Sequence, residues 1–188
     1  MTRIIAGAIG SLQLRGAAKA TRPTSDRVKE SLFGKLDAMG AIQDAAVLDL
    51  FAGTGALGLE CASRGALSVQ FVEQDRHAFE GLSSNIKAAE VSLNKQGLMP
   101  DLKALNIDAK KFLKAAVSEF DLAFIDPPYA FHAEDLEQIL LGLHGLLRDK
   151  GLVVVERSNR DQAPEVAGYY LGNAKTYGDT AIYLLNKR

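Results

Sequence analysis

At 188 residues, 47% hydrophobic and 24% charged, the chain has the proportions of one soluble globular domain with a core of its own. One cysteine, Cys61, excludes an intrachain disulfide and a cysteine-based zinc cluster, and no apolar run is long enough to span a bilayer. The net charge of −1 points to no partner, but residues 1–35 hold Arg3, Arg15, Lys19, Arg22, Arg27, Lys29 and Lys35 against Asp26 and Glu30, a net +5 that leaves −6 on the remainder.

The opening residues lack the apolar core and cleavage site of a secretory signal, so a cytoplasmic protein is expected. Residues 3–6 and 11–14 predict a small hairpin around Gly7 and Gly10. Residues 17–24 show no periodicity and predict an exposed loop. Thr24, Ser25 and Asp26 offer N-caps for a helix to about Met39, with Val28, Leu32, Phe33 and Leu36 on one face. A basic extension over 1–40 and a main domain over 41–188 are the expected division.

From Ala46 onward, short apolar runs alternate with amphipathic stretches. Strands are predicted over 46–51, 68–73, 102–107, 121–126, 151–156 and 180–185, and helices over 56–64, 75–90, 109–118 and 133–147. This alternation predicts an α/β fold, with a mostly parallel sheet covered by helices on both faces. Between 157 and 179 a short helix near 161–166 and a strand near 169–174 are predicted. The latter should form an antiparallel hairpin with the last strand at the sheet edge.

Two stretches carry the chemistry. Gly53, Gly55 and Gly58 fit G-x-G-x-x-G after a strand, where a tight turn lets a ligand approach the backbone. Dinucleotide enzymes share that pattern. Asp49 at the strand end would repel a pyrophosphate and suit the ammonium and sulfonium of S-adenosylmethionine; alternatively it caps the turn through local backbone groups. Asp49, Phe51, Gly53 and Gly55 are therefore candidate cofactor contacts. Glu73 ends the next strand at the spacing where an acid meets ribose hydroxyls. Asp108 and the Ala109 N–H could read adenine, and Asp108 is equally suited to cap the following helix.

Asp126-Pro127-Pro128-Tyr129 follows the apolar run 122–125. Two prolines fix the chain at a strand's carboxyl end, where open α/β sheets bind ligands. An aryl amine is a poor nucleophile because its lone pair is delocalised. The Asp126 carboxylate and Pro127 carbonyl can accept its two N–H bonds, orient the lone pair and stabilise the developing charge. Tyr129 can stack on the base, and Asp126 also borders the cofactor. His77, His132 and His144 lack metal-ligand spacing, so no metal is expected; His144 reads as a helix-surface residue.

The stretches Arg3–Gly7, Thr21–Phe33, Asp49–Gly55, Asp126–Tyr129 and Tyr177–Thr180 together resemble the RsmD family of small-subunit ribosomal RNA guanine-N2 methyltransferases. The resemblance implies a seven-stranded, Rossmann-like class I methyltransferase sheet, S-adenosylmethionine as donor and the assembled small subunit as substrate. A monomer and no membrane partner are expected. Arg3, Arg15, Arg22, Thr24 and Arg27 are the candidate RNA contacts. The family's hairpin usually has basic residues beside its glycines, whereas Gly7-Ala8-Ile9-Gly10-Ser11 carries no charge. RNA affinity there is then reduced or carried elsewhere. The competing readings are a DNA adenine-N6 methyltransferase, a non-catalytic RNA-binding module and an NAD-dependent oxidoreductase; Asp49 disfavours the last.

Overall fold

The structure is a computed structural model that describes residues 2–16, 26–128 and 131–188. The expected loop over 17–24 therefore lies outside the described residues. Strands β1 (Thr2–Arg3) and β2 (Gln13–Leu14) form an antiparallel hairpin, followed by helix α1 (Asp26–Ala38). Then come β3 (Ala46–Asp49), α2 (Ala56–Ser63), β4 (Ser68–Val72), α3 (Arg76–Asn94), β5 (Asp101–Leu105), α4 (Ala109–Ala115) and β6 (Phe120–Ile125). The chain closes with α5 (Ala133–His144), β7 (Leu147–Ser158), β8 (Tyr169–Tyr177) and β9 (Thr180–Lys187).

Seven strands form one sheet in the order β5-β4-β3-β6-β7-β9-β8. The first five are mutually parallel, and β9 runs antiparallel to both β7 and β8. Apolar residues run unbroken along the central strands because both faces are covered. Val47, Leu122, Phe124 and Val154 pack with the hairpin, α1, α2 and α3; Leu48, Ala123, Ile125, Val153 and Val155 pack with α4 and α5. Among the described residues, no helix is long and apolar enough to cross a membrane.

Three expectations need correction. No helix forms over 161–166. Pro164 lacks an N–H and biases the residue before it away from helical backbone, while Asp161 is held by Arg157 Nη2 at 2.8 Å. The helix predicted over 133–147 ends at His144. Gly145 follows as its cap, and Leu147 already pairs with Phe120 in the sheet. His144 is not a plain surface residue: its ring meets Tyr169 edge-on at 5.4 Å, and its buried Nε2 has no hydrogen-bond partner.

The hairpin is fastened to α2 by hydrogen bonds that local sequence does not encode. Glu60 is fully buried, and its carboxylate accepts from the N–H groups of Ile5 at 2.6 Å and Ala6 at 3.1 Å. Ser63 Oγ donates to the Ala6 carbonyl at 2.6 Å and accepts from the Ile9 N–H at 3.1 Å. Gly7 lies between these contacts with φ +81°, and a Cβ there would fall 2.1 Å from the Ser63 carbonyl oxygen. Gly7→Ala is expected to destabilise the protein by roughly 2–3 kcal/mol, because left-handed strain and a backbone clash coincide. An unchanged urea midpoint would show that the hairpin does not belong to the cooperative unit.

Candidate active site

The carboxyl ends of β3, β4, β6 and β7 meet on one side of the sheet. The turn after β3 is held by the Leu50 N–H on the Phe124 carbonyl at 3.1 Å and the Ala52 N–H on the Val72 carbonyl at 3.0 Å. Gly53 and Gly55 are both left-handed, with φ 52° and 79°, and Gly55 is the N-cap of α2. A Cβ at Gly53 would meet nothing within 4 Å, so this turn opens onto space a ligand can fill. A Cβ at Gly58 would instead lie 2.3 Å from Phe71, which makes that glycine a packing residue.

Asp49 is buried at the end of β3, and its Oδ2 accepts from the Gly58 N–H at 3.0 Å. The capping reading of this residue is therefore realised. Burial pushes its pKa up to about 7; the Gly58 hydrogen bond opposes the shift and the Glu73 charge adds to it. Glu73 accepts from the Gly53 N–H at 2.8 Å through Oε2 and from the Asp75 N–H at 2.8 Å through Oε1. It thus ties the glycine turn to the end of β4. Asp108 caps α4, accepting from the Lys111 N–H at 3.0 Å, and Ala109 follows as the first, buried helical residue.

Ile125 pairs with Val155, so the residues that follow, Asp126 and Glu156, emerge side by side from β6 and β7. Asp126 keeps part of its surface open, yet the groups packed around its carboxyl desolvate it. That burial raises its pKa well above the usual carboxylate range, and the charges of Glu156 and Asp49 push it further. Asp49, Glu73 and Asp126 thus stand at strand ends, with Glu156 beside Asp126 in the last stretch of pairing along β7, and among the described residues no His, Cys, Asp and Glu group has metal-holding geometry. Pro127 is buried, and the Pro128 carbonyl accepts from the Phe131 N–H at 2.9 Å. The Phe131 ring meets Phe51 edge-on at 5.4 Å, which joins the two motifs. Tyr129 lies outside the described residues. An open cleft of about 1110 Å³ extends from Phe131 between the first turn of α5 and the 157–166 segment.

The expected RNA contacts divide. Arg22 and Thr24 lie outside the described residues. Arg3 Nε donates to Asp26 at 2.9 Å, with both side chains about half exposed. Arg15 and Arg27 are exposed. Lys29, counted in the basic arm, is buried at 1% exposure and donates to the Arg3 carbonyl at 2.7 Å, so it serves the hairpin. Glu156 and Phe131 were missed as site residues. Glu156 had a signal, because the strand predicted over 151–156 ends on it.

A parallel sheet of this strand order, closed by an antiparallel hairpin and bearing its glycine turn after the central β3, defines a Rossmann-like methyltransferase fold. The family described as Conserved hypothetical protein 95 matches residues 2–186. Ribosomal RNA small subunit methyltransferase D of Escherichia coli K12 is 34% identical over 167 residues, covering 88% of this chain and 79% of the relative. YlbH of Bacillus subtilis is 34% identical over 192 residues, covering 99% of each chain. The solved structure of yhhF from Escherichia coli aligns with a TM-score of 0.82 at 33% identity, covering 99% and 97% of the two chains. The chain belongs to the RsmD family.

Proposed function

We propose that this protein transfers a methyl group from S-adenosylmethionine to the exocyclic N2 amine of a guanine in small-subunit ribosomal RNA, on the assembled subunit. The observation that carries the reading is the gathering of Asp49, Glu73, Asp126 and Glu156 around an open glycine turn. Burial and neighbouring carboxylate charge raise the pKa values of two of them, Asp49 and Asp126. A cationic ligand would relieve them.

The residues present fit that cofactor. Asp49 would hold the ammonium, Glu73 the ribose hydroxyls, and Asp108 with the Ala109 N–H the adenine, while Phe51 would flank it. When bound, S-adenosylmethionine supplies an electrophilic methyl group on a sulfonium. Asp126 and the Pro127 carbonyl accept the two N–H bonds of the target amine and orient its lone pair. Tyr129 stacks on the base. An alkylated amine is cationic and must shed a proton, and a carboxylate with raised proton affinity, such as Asp126, is suited to take it. The cleft beside Phe131 offers room for the nucleotide.

The test is incubation with labelled S-adenosylmethionine and, separately, isolated small subunits, free ribosomal RNA and DNA, followed by identification of the nucleoside. N2-methylguanosine from subunits is expected. Label in DNA adenine would overturn the reading, and label confined to free RNA would remove the assembled-subunit part.

Two predictions belong to this reading. Glu73→Ala removes acceptors for the ribose and also frees the Gly53 N–H. At roughly 1.5–3 kcal/mol for charge-assisted hydrogen bonds, affinity for S-adenosylhomocysteine should fall one to two orders of magnitude. Unchanged affinity by calorimetry would remove Glu73 from the site. The second concerns residues 1–40 as the RNA-contact extension of the 41–188 domain. Arg27→Ala should weaken subunit binding and reduce the slope of log affinity against log salt by about one unit, with cofactor affinity unchanged. A wild-type slope with lower thermal stability would make Arg27 a structural brace.

A further inference from the structure

Asn85 stands on α3, 2% exposed, and joins two segments that are distant in the chain. Its Nδ2 donates to the Thr54 carbonyl at 2.9 Å and to the Arg15 carbonyl at 3.0 Å. Its Oδ1 accepts from the Arg15 N–H at 2.8 Å. Thr54 is the residue between Gly53 and Gly55, at the apex of the glycine turn. Arg15 follows β2 and is an exposed residue of the basic arm.

We propose that Asn85 is a positioning residue that couples the glycine turn to the basic arm, so that cofactor and RNA strengthen each other's binding. The inference rests on the functional reading above, which puts the cofactor at the turn and RNA on the arm. An amide group is planar and rigid. If the Thr54 carbonyl swings, the Asn85 amide must turn to follow it, and both bonds to Arg15 are strained together. Gly53 and Gly55 on either side are the residues with the most backbone freedom to permit that swing. A ligand that fixes the Thr54 peptide fixes Asn85 and through it the backbone of Arg15. RNA that fixes the arm acts on the turn by the same route. Ordering that both ligands require is then lost only once, and linkage makes the effect reciprocal.

An amide that merely satisfies buried backbone groups would affect stability and leave the two affinities independent. The experiment therefore measures coupling. Affinity for S-adenosylhomocysteine is taken by calorimetry with and without saturating small subunits, and subunit affinity with and without S-adenosylhomocysteine. Wild type is compared with Asn85→Ala and Asn85→Ser. In wild type each ligand should tighten the other roughly tenfold. In the variants each ligand should still bind alone while the coupling factor falls toward one. In unmutated protein, S-adenosylhomocysteine should also slow amide exchange at Arg15, outside the cofactor site. A coupling factor of one in wild type, wild-type coupling in a folded variant, or unchanged Arg15 exchange would each overturn the proposal. If neither variant folds, the exchange measurement decides. Failure of wild type to bind S-adenosylhomocysteine or subunits separately would overturn the functional reading along with the coupling.

Discussion

Asp126→Ala is expected to lower methyl transfer by roughly two to three orders of magnitude, the scale for removing a group that acts on developing charge. The fold should survive, because the lost carboxyl is one that burial and the neighbouring Glu156 and Asp49 charges already disfavour in its ionised form. Asp126→Asn keeps one acceptor oxygen and should retain more activity than Ala, without the charge. The pH dependence separates positioning from proton transfer. The folded Asp126 pKa lies above its ordinary value, so at acidic pH the carboxyl is neutral and a poor acceptor. Wild-type single-turnover rates should rise with pH through that elevated titration, and the Asn variant should lose that limb. Full turnover in the Ala variant would refute the role. So would a loss accounted for entirely by weaker S-adenosylhomocysteine binding, since the claim concerns the transition state.

The parts of the site written in consecutive residues were legible, and those made by distant pairs were not. Asp49, Glu73 and Asp126 stand where an apolar strand stops, and in an open parallel sheet those stops line up on one edge. The mostly parallel sheet and the closing hairpin followed from the alternation of elements and the short gap between the last two strands, whereas the order of the strands was not legible. Glu60 and Asn85 looked like ordinary helix residues. Their partners are 54–55 and 31–70 residues away respectively, and no periodicity reports such pairs. Lys29 misled for a related reason. It lies on the same face as Phe33 and Leu36, but its charge placed it with the exposed arm, whereas its ammonium reaches the Arg3 carbonyl and Asp26. The helix expected over 161–166 failed on Pro164, a residue whose effect was readable from the sequence.

Asp49→Asn is expected to change stability and cofactor binding in opposite directions. Asn has nearly the same shape and can still accept the Gly58 N–H. It removes a carboxyl whose folded pKa is raised to about 7 from an unfolded value near ~3.9. A raised folded pKa means that the native state holds the proton more tightly. The associated stability is fully present below about pH 4 and is lost as pH rises through about 7. Wild type and variant should therefore melt alike near pH 4. At pH 8 the variant should be more stable by a few kcal/mol, at about 1.4 kcal/mol per pKa unit. A melting difference that does not grow with pH would show that Asp49 is not protonated in the native state. Cofactor binding should move the other way. A cation beside Asp49 favours its ionised form, so wild-type affinity for S-adenosylhomocysteine should improve between pH 5.5 and 7.5 with release of a proton. The Asn variant should bind one to two orders of magnitude more weakly, with that pH dependence reduced. If Asp49 served only to cap the turn, the variant would gain stability and keep wild-type affinity. The two measurements together thus decide whether the carboxylate belongs to the fold alone or holds the cofactor's ammonium, with reduced stability at neutral pH as the consequence of keeping it.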